Sequence, residues 1–223
     1  MDAPVDPRWP KILSLTVHEL RTPLTVVSGY IRMLLKDRAG PLTDPQRRLL
    51  EEAEKSCARL SGLVTEVSEL SSLEAGTLTF NRQPTDLRKT LRTTIAELPP
   101  LPDRDVRIDL ELGETPAMLQ GDAARLAQAF GAVVVALRRE IVADEALVIR
   151  ERAETGRYEL AIGNRKTLEA MDTEPDLPPF NEWRGGVGLS LAVARRLIEA
   201  HGGRIWDAPA GRQTGARIRL PLS

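Results

Sequence analysis

Apolar residues recur at alternating spacings of four and three along two long segments of this 223-residue chain, residues 13–34 and 49–70. Such spacing places a stripe along one face of a helix that packs lengthwise against other helices. Residues 39–45, between the two segments, include a glycine and two prolines. We therefore predict two long helices joined by a short turn, which is a helical hairpin.

A single hairpin of this kind buries only half of each apolar stripe. A second hairpin would cover the remainder, and a two-fold symmetric dimer is the simplest way to supply it. We therefore expect residues 8–75 to be a dimerisation domain that forms a four-helix bundle in a homodimer.

Charge and composition exclude several kinds of partner. The chain has 31 basic and 32 acidic residues, and this balance lacks the excess of positive charge that is typical of nucleic-acid binding. No apolar run is long enough to span a bilayer, so we expect no membrane segment in this chain. The single cysteine, Cys57, is typical of a reducing compartment, and we expect a cytoplasmic protein.

His18 lies on the first predicted helix, one position past the apolar residue Val17, so its imidazole is expected to point outward. Glu19 follows it, and Thr22 lies one turn further along the same face. An exposed imidazole beside a carboxylate is a nucleophile with a neighbour that can orient it. Pro23 has no N–H for the carbonyl of Glu19 and is expected to bend the helix there. A lone surface histidine is also commonly a plain surface or packing residue.

The string H-E-L-R-T-P-L-T at residues 18–25 favours the chemical interpretation. It resembles the phospho-acceptor motif, or H box, of bacterial sensor histidine kinases. The resemblance implies that His18 carries a phosphoryl group and that Glu19 assists its transfer. It implies that Thr22 helps to place water when a partner is dephosphorylated. It also implies that this partner is the receiver domain of a response regulator.

Residues 76–223 read as a second domain in which predicted strands and helices are mixed. We predict that Asp122 caps a helix running to about Glu140, and that another helix ends at Gly202. The order suggests one sheet with helices on a single face. It resembles the α/β sandwich of the histidine-kinase ATPase domain, so the expected fold class of the whole chain is α+β.

The segment R-G-G-V-G-L-S-L-A at residues 184–192 resembles the second glycine box of this family. Glycines let backbone N–H groups approach phosphates at the start of a helix, which makes Gly186 and Gly188 candidate nucleotide contacts. The same glycines also suit close packing of a helix on a strand. His201 is expected to belong to the turn that ends the following helix.

Other parts of the family's nucleotide site are missing. Two asparagines, one of them a Mg²⁺ ligand, are replaced by Ala132 and Ala136, which offer no oxygen to the metal. The D-x-G-x-G motif that binds adenine is replaced by G-N-R-K-T at residues 163–167, and the lid shrinks to a short proline-rich stretch at about 168–183. We therefore expect impaired ATP binding, no metal site and no cofactor held by this chain. Mg²⁺ would come from the acidic pocket of the regulator.

Three functions fit this pattern. The first is a phosphotransfer protein that exchanges a phosphoryl group between His18 and a response-regulator aspartate, with phosphatase activity at the same turn. The second is an active ATP-dependent histidine kinase with a divergent nucleotide site, and the third is a non-catalytic scaffold that binds a response regulator. The complete H box argues against the scaffold, and Ala132 and Ala136 argue against the kinase. We adopt the histidine phosphotransferase as the working hypothesis.

Overall fold

The computed structural model describes residues 9–101, 105–141, 146–154, 156–174, 176–209, 211 and 214–223. The chain divides between Leu78 and Thr79 into two compact units. The described part of the first unit is helical, and that of the second mixes helices and strands. Among the described helices, none is both long and apolar enough to cross a membrane.

The first unit is the predicted hairpin, formed by α1 (Trp9–Leu35) and α2 (Asp44–Glu74). The start of α2 is fixed by a capping box, in which the Gln46 side chain accepts from the Thr43 N–H at 2.9 Å. The turn is closed by Arg47, which binds both carboxylate oxygens of Asp37 at 2.8 and 2.9 Å and donates to the carbonyl of Leu35 at 2.9 Å.

Only part of the hairpin's apolar stripe is covered within one chain. Val17, Ile31 and Cys57 are buried between the helices. Half or more of the surface of Leu20 and Leu60 remains exposed, at 50% and 52%. The sequence expectation of a half-covered stripe therefore agrees with the structure, and Cys57 is a packing residue.

The second unit is built on a five-stranded sheet with the strand order β2-β4-β5-β7-β6. The β2–β4 pair is parallel and the other three pairs are antiparallel. The strands are β2 (Ile108–Glu111), β4 (Leu147–Glu154), β5 (Arg157–Gly163), β6 (Arg204–Asp207) and β7 (Gly215–Pro221).

One face of this sheet carries the main core. Cross-strand pairs such as Ile149 with Ile162 and Leu160 with Ile218 alternate with polar residues along the strands. Side chains from the helices bury this face, and α4 contributes residues such as Leu126 and Phe130 with no exposed surface. The helices on this side are α3 (Leu87–Ala96), α4 (Ala123–Glu140) and α6 (Ser190–Ala200).

The expectation of one sheet with helices on a single face is wrong in two respects. First, β1 (Gln83–Asp86) and β3 (Met118–Gly121) pair antiparallel in a separate two-stranded sheet. Second, α5 (Arg165–Thr173) packs Leu168 and Met171 against Val148, whose side chain points to the opposite face of the large sheet from Ile149. The apolar residues on that face require a cover, and α5 supplies it.

His201 ends α6 as the sequence indicates, and it is 2% exposed. Its Nδ1 lies 2.7 Å from the carbonyl oxygen of Leu197, and its Nε2 accepts the N–H of Asp122 at 3.0 Å. Only a neutral imidazole fills both roles. Burial lowers the pKa of His201, and Arg82 lowers it further, against opposing effects from the Leu197 carbonyl and from Asp122.

The lowered pKa of His201 predicts a pH-dependent stability. The unfolded state takes up the proton near pH 6.5 and the folded state only at lower pH. The full stabilisation is therefore present above about pH 6.5 and is lost as the pH falls below it. Urea unfolding between pH 7.5 and 5.5 should show this loss in the wild type and not in His201→Gln.

The chain has two histidines, so His18→Gln is the matched control, and it should keep the wild-type dependence. Burial raises the pKa of Asp122, but N–H groups of Asn81 and Arg125 outweigh it, and this carboxyl titrates below the range tested. Equal pH profiles for wild type and His201→Gln would contradict the assignment.

Candidate functional site

The H-box turn lies on the exposed face of α1. The side chains of His18 and Glu19 are 75% and 72% exposed, and Nδ1 of His18 is 3.4 Å from Oε1 of Glu19. Val17, the preceding residue, is buried in the hairpin and fixes this face outward. A neutral imidazole with Nδ1–H turned to the carboxylate presents Nε2 to a reaction partner. The turn can therefore act as a nucleophile beside a group that orients it.

Thr22 is exposed one turn after His18, as the sequence predicts. Thr25 lies three residues further along α1, and its hydroxyl is engaged within the helix, because it donates to the carbonyl of Arg21 at 2.8 Å. The helix continues through Pro23 without interruption, and a bend at this point stays a prediction.

The glycine segment before α6 adopts a backbone that favours glycine. Gly185, Gly186 and Gly188 have φ angles of +72°, +58° and +69°, in the left-handed region that other residues rarely adopt. The hydroxyl of Ser190 donates to the carbonyl of Val187 at 2.7 Å and closes the turn into the helix. Gly186 and Gly188, the candidate nucleotide contacts, are both exposed on this loop.

The glycine loop lies directly against α4 at the position where the family places an asparagine. A β-carbon built on Gly185 would lie 3.0 Å from the β-carbon of Ala136. Ala136 is 1% exposed, and Ala132 is half-buried one turn earlier. A longer side chain at residue 136 would require the loop to move. These residues therefore do not fit a Mg²⁺–nucleotide group, for want of both oxygen ligands and room.

The segment after β5 forms a capped helix that packs on the large sheet. The side chain of Asn164 caps α5 by accepting from the N–H of Thr167 at 2.8 Å. A β-carbon on Gly215 would lie 2.6 Å from side-chain atoms of Thr167 and Met171, so α5 packs tightly on the β5–β7 pair. The expected short lid at 168–183 thus begins as a helix. Helical spacing of Leu168 and Met171 after a cap residue was the signal for it.

Sequence reasoning missed Arg184, which is central to the closed loop. Its Nε donates to Oε1 of Glu140 at 3.0 Å, and its Nη1 donates to Oδ1 of Asp207 at 2.6 Å and to the carbonyl of Gly215 at 3.2 Å. Burial lowers the pKa of the guanidinium, but hydrogen bonds and charge from both carboxylates outweigh it and raise the pKa above its ordinary value. Its partners come from distant parts of the chain, so no local pattern could have indicated them.

No group of three or more His, Cys, Asp or Glu side chains that could hold a metal ion occurs within the described ranges of the chain. The only titratable pair on the H-box turn is His18 with Glu19.

Comparison with known proteins connects the hairpin to a family. Residues 11–76 match the His Kinase A (phospho-acceptor) domain. The sensor protein GacS of Pseudomonas syringae pv. syringae is 30% identical over 220 residues, which cover 92% of this chain and 24% of that protein. The circadian input-output histidine kinase CikA of Synechococcus elongatus is 28% identical over 214 residues, 87% of this chain and 27% of that protein. The chain thus spans about a quarter of the length of these relatives.

Solved structures show the same fold over both units. The crystal structure of full-length ShkA in complex with AMPPNP has a TM-score of 0.70 at 22% identity, over 96% of this chain and 45% of that one. The histidine kinase AdeS of Acinetobacter baumannii has a TM-score of 0.62 at 22% identity, over 92% and 98%. The resemblance seen in the sequence and the expected fold class are both confirmed. The chain therefore contains a His Kinase A (phospho-acceptor) domain at residues 11–76, and over both units it is similar to histidine kinases.

Proposed function

We propose that this chain carries a phosphoryl group on His18 and exchanges it with an aspartate of a response-regulator receiver domain. The observation that carries this proposal is the contrast between the two units. The H-box turn is exposed and carries His18 beside Glu19, whereas residues 132 and 136 are alanines without oxygen ligands and the loop at Gly185 lies against Ala136. A chain with an acceptor and without an ATP site has to receive its phosphoryl group from another protein.

In this proposal, Nε2 of His18 attacks the phosphorus of an aspartyl phosphate in line. The N–P bond forms as the P–O bond breaks, and the aspartate leaves as a carboxylate with the electron pair. Glu19 accepts the Nδ1–H, which fixes the tautomer and offsets the positive charge that develops on the imidazole. The contact of 3.4 Å in the free protein would shorten in the complex. The receiver supplies the Mg²⁺.

The two units then have different roles. Residues 8–75 form the dimerising phosphotransfer hairpin, and a second copy covers the exposed stripe that includes Leu20, Val27 and Leu60. Residues 76–223 form a degenerate ATPase-like domain that serves as a docking surface and holds no nucleotide. Thr22 would place water when the phosphoryl group of the regulator is hydrolysed instead of transferred.

A second candidate is an ATP-dependent kinase that uses a divergent site. The names of the relatives favour it, since several are called histidine kinases. The two candidates differ in one measurable property, the affinity of the chain for ATP.

We expect His18→Ala and His18→Gln to abolish phosphoryl acceptance. Both remove the nucleophilic nitrogen, and the fold should change in stability by no more than about 0.5 kcal/mol because the side chain is exposed. Receiver domains from the same genome, charged with ³²P-acetyl phosphate, are incubated with each variant, and label on the chain is counted. Acceptance that persists in His18→Ala would place the chemistry elsewhere.

Thr22→Ala should transfer the phosphoryl group normally and hydrolyse the regulator phosphate more slowly, since only a water-positioning hydroxyl is lost. Thr25→Ala is its matched control. It removes a hydroxyl from the same helix face, one that already donates to the carbonyl of Arg21, and should leave both reactions unchanged. Equal hydrolysis rates in the two variants would remove Thr22 from the mechanism.

Titration calorimetry with ATP–Mg²⁺ should show no saturable binding up to about 1 mM. Ala132→Asn/Ala136→Asn should not restore it, because the longer side chain at residue 136 meets the loop at Gly185, and overpacking should cost about 1–3 kcal/mol of stability. Ala124→Asn, on the exposed face of α4, should cost at most about 0.7 kcal/mol. A micromolar dissociation constant for the wild type would favour the kinase.

Leu20→Glu should convert the dimer to monomers that keep their helical content. Leu20 is 50% exposed in a single chain, so the charge disturbs the interface between copies and spares the hairpin interior. Light scattering should show a dissociation constant of the dimer raised by at least about 100-fold, roughly 3 kcal/mol. Ser14→Glu places the same charge away from the stripe and should remain dimeric. A dimeric Leu20→Glu protein would exclude this interface.

A further inference from the structure

The loop at residues 176–189 is closed by contacts within the second unit. Its first half follows β6, where the N–H of Asp207 donates to the carbonyl of Pro178 at 3.1 Å. The carboxylate of Asp207 in turn accepts the N–H of Asn181 at 3.0 Å. Glu182 forms an ion pair with Arg195 of α6 at 3.3 Å. Strand β6 and helix α6 thus both hold the loop.

Arg184 joins the second half of the loop to three other segments. Its guanidinium pairs with Glu140 at the end of α4 and with Asp207 in β6, and it also donates to the carbonyl of Gly215 in β7. Its side chain is 11% exposed, and those of Glu140 and Asp207 are 22% and 17% exposed. The guanidinium of Arg184 pairs with both carboxylates at this junction, so each of the two partly buried negative charges has a hydrogen-bonded counter-charge.

The ion cluster of Arg184, Glu140 and Asp207 lies close to Ala136 on α4. Glu140 lies one helical turn after Ala136 on the same face of α4, and Gly185 lies against Ala136 itself. Arg139 donates to the carbonyl of Gly186 at 3.4 Å. The protein therefore places its own cation and backbone beside Ala136, one of the two positions at which the resemblance implies an asparagine.

We propose that Arg184 is an internal latch that keeps the loop at residues 176–189 closed on α4 and β6 in the absence of any nucleotide. This inference rests on the proposed function, because a domain that serves only as a docking surface gains from a fixed shape. The loop presents Trp183 with 72% of its surface exposed. A partner that contacts this loop would find it already ordered and would not pay the cost of ordering it.

Hydrogen–deuterium exchange of the full chain tests the latch. In the wild type, amides of residues 181–188 should exchange slowly, with the same rates before and after addition of ATP–Mg²⁺. Arg184→Gln should speed their exchange by at least about tenfold and leave the rest of α4 unchanged. Arg196→Gln is the matched control, since it removes an arginine that pairs with Glu199 within α6, and it should leave the loop rates unchanged.

Asp207→Asn is a second variant in case Arg184→Gln does not fold. It keeps an oxygen for the N–H of Asn181 and removes one charge of the cluster. We therefore expect a smaller increase in the exchange rates of the amides of residues 181–188. Unchanged loop rates in Arg184→Gln, or in Asp207→Asn if the first variant is unfolded, would overturn the latch.

The outcomes separate the latch from the proposed function. ATP–Mg²⁺ that slows loop exchange only in Arg184→Gln would support the latch and contradict the loss of the nucleotide site. ATP–Mg²⁺ that slows it in the wild type would overturn both. Insensitivity to ATP with no effect of Arg184→Gln would overturn the latch alone.

Discussion

The apolar side chains of α4 must be buried away from water, and the rest of the second unit packs around this helix. Leu126, Phe130 and Val133 have no exposed surface, and the helix packs between α3 and α6 over the large sheet. The same packing continues along α4 to Ala136, against which Gly185 of the glycine loop lies. The side of α4 that carries Ala136 is therefore part of the protein interior.

The hairpin buries only part of its apolar stripe within one chain, so part of the stripe stays exposed. Val17 and Ile31 are buried within one chain, while about half of the surface of Leu20 and of Val27 is exposed. The position of Val17 also fixes His18 outward, with its carboxylate neighbour at 3.4 Å. The outward position of His18 and Glu19 thus depends on helix periodicity alone. The contacts around Ala136 and Arg184 instead depend on several segments that are distant in the chain.

Local signals predicted much of the fold. Asp122 was expected to cap α4 and does so, accepting from the N–H of Arg125 at 3.2 Å. Helix α5 was not predicted, because the segment from Gly163 stands where the resemblance implies the D-x-G-x-G motif. The helical spacing of Leu168 and Met171 was the local signal for it. The sheet formed by β1 and β3 was missed because its strands, Gln83–Asp86 and Met118–Gly121, are four residues long and more than thirty residues apart.

The sequence by itself determined the hairpin, the outward histidine and the absence of oxygen ligands at residues 132 and 136, because each follows from the identity or spacing of neighbouring residues. Tertiary structure alone decided that the loop closes on Ala136 and that Arg184 meets Glu140 and Asp207. Those contacts join residues far apart in the chain, and they form only when α4, β6 and β7 are already packed together. The identity of a residue is a property of one position, whereas a contact between distant segments is a property of the whole domain.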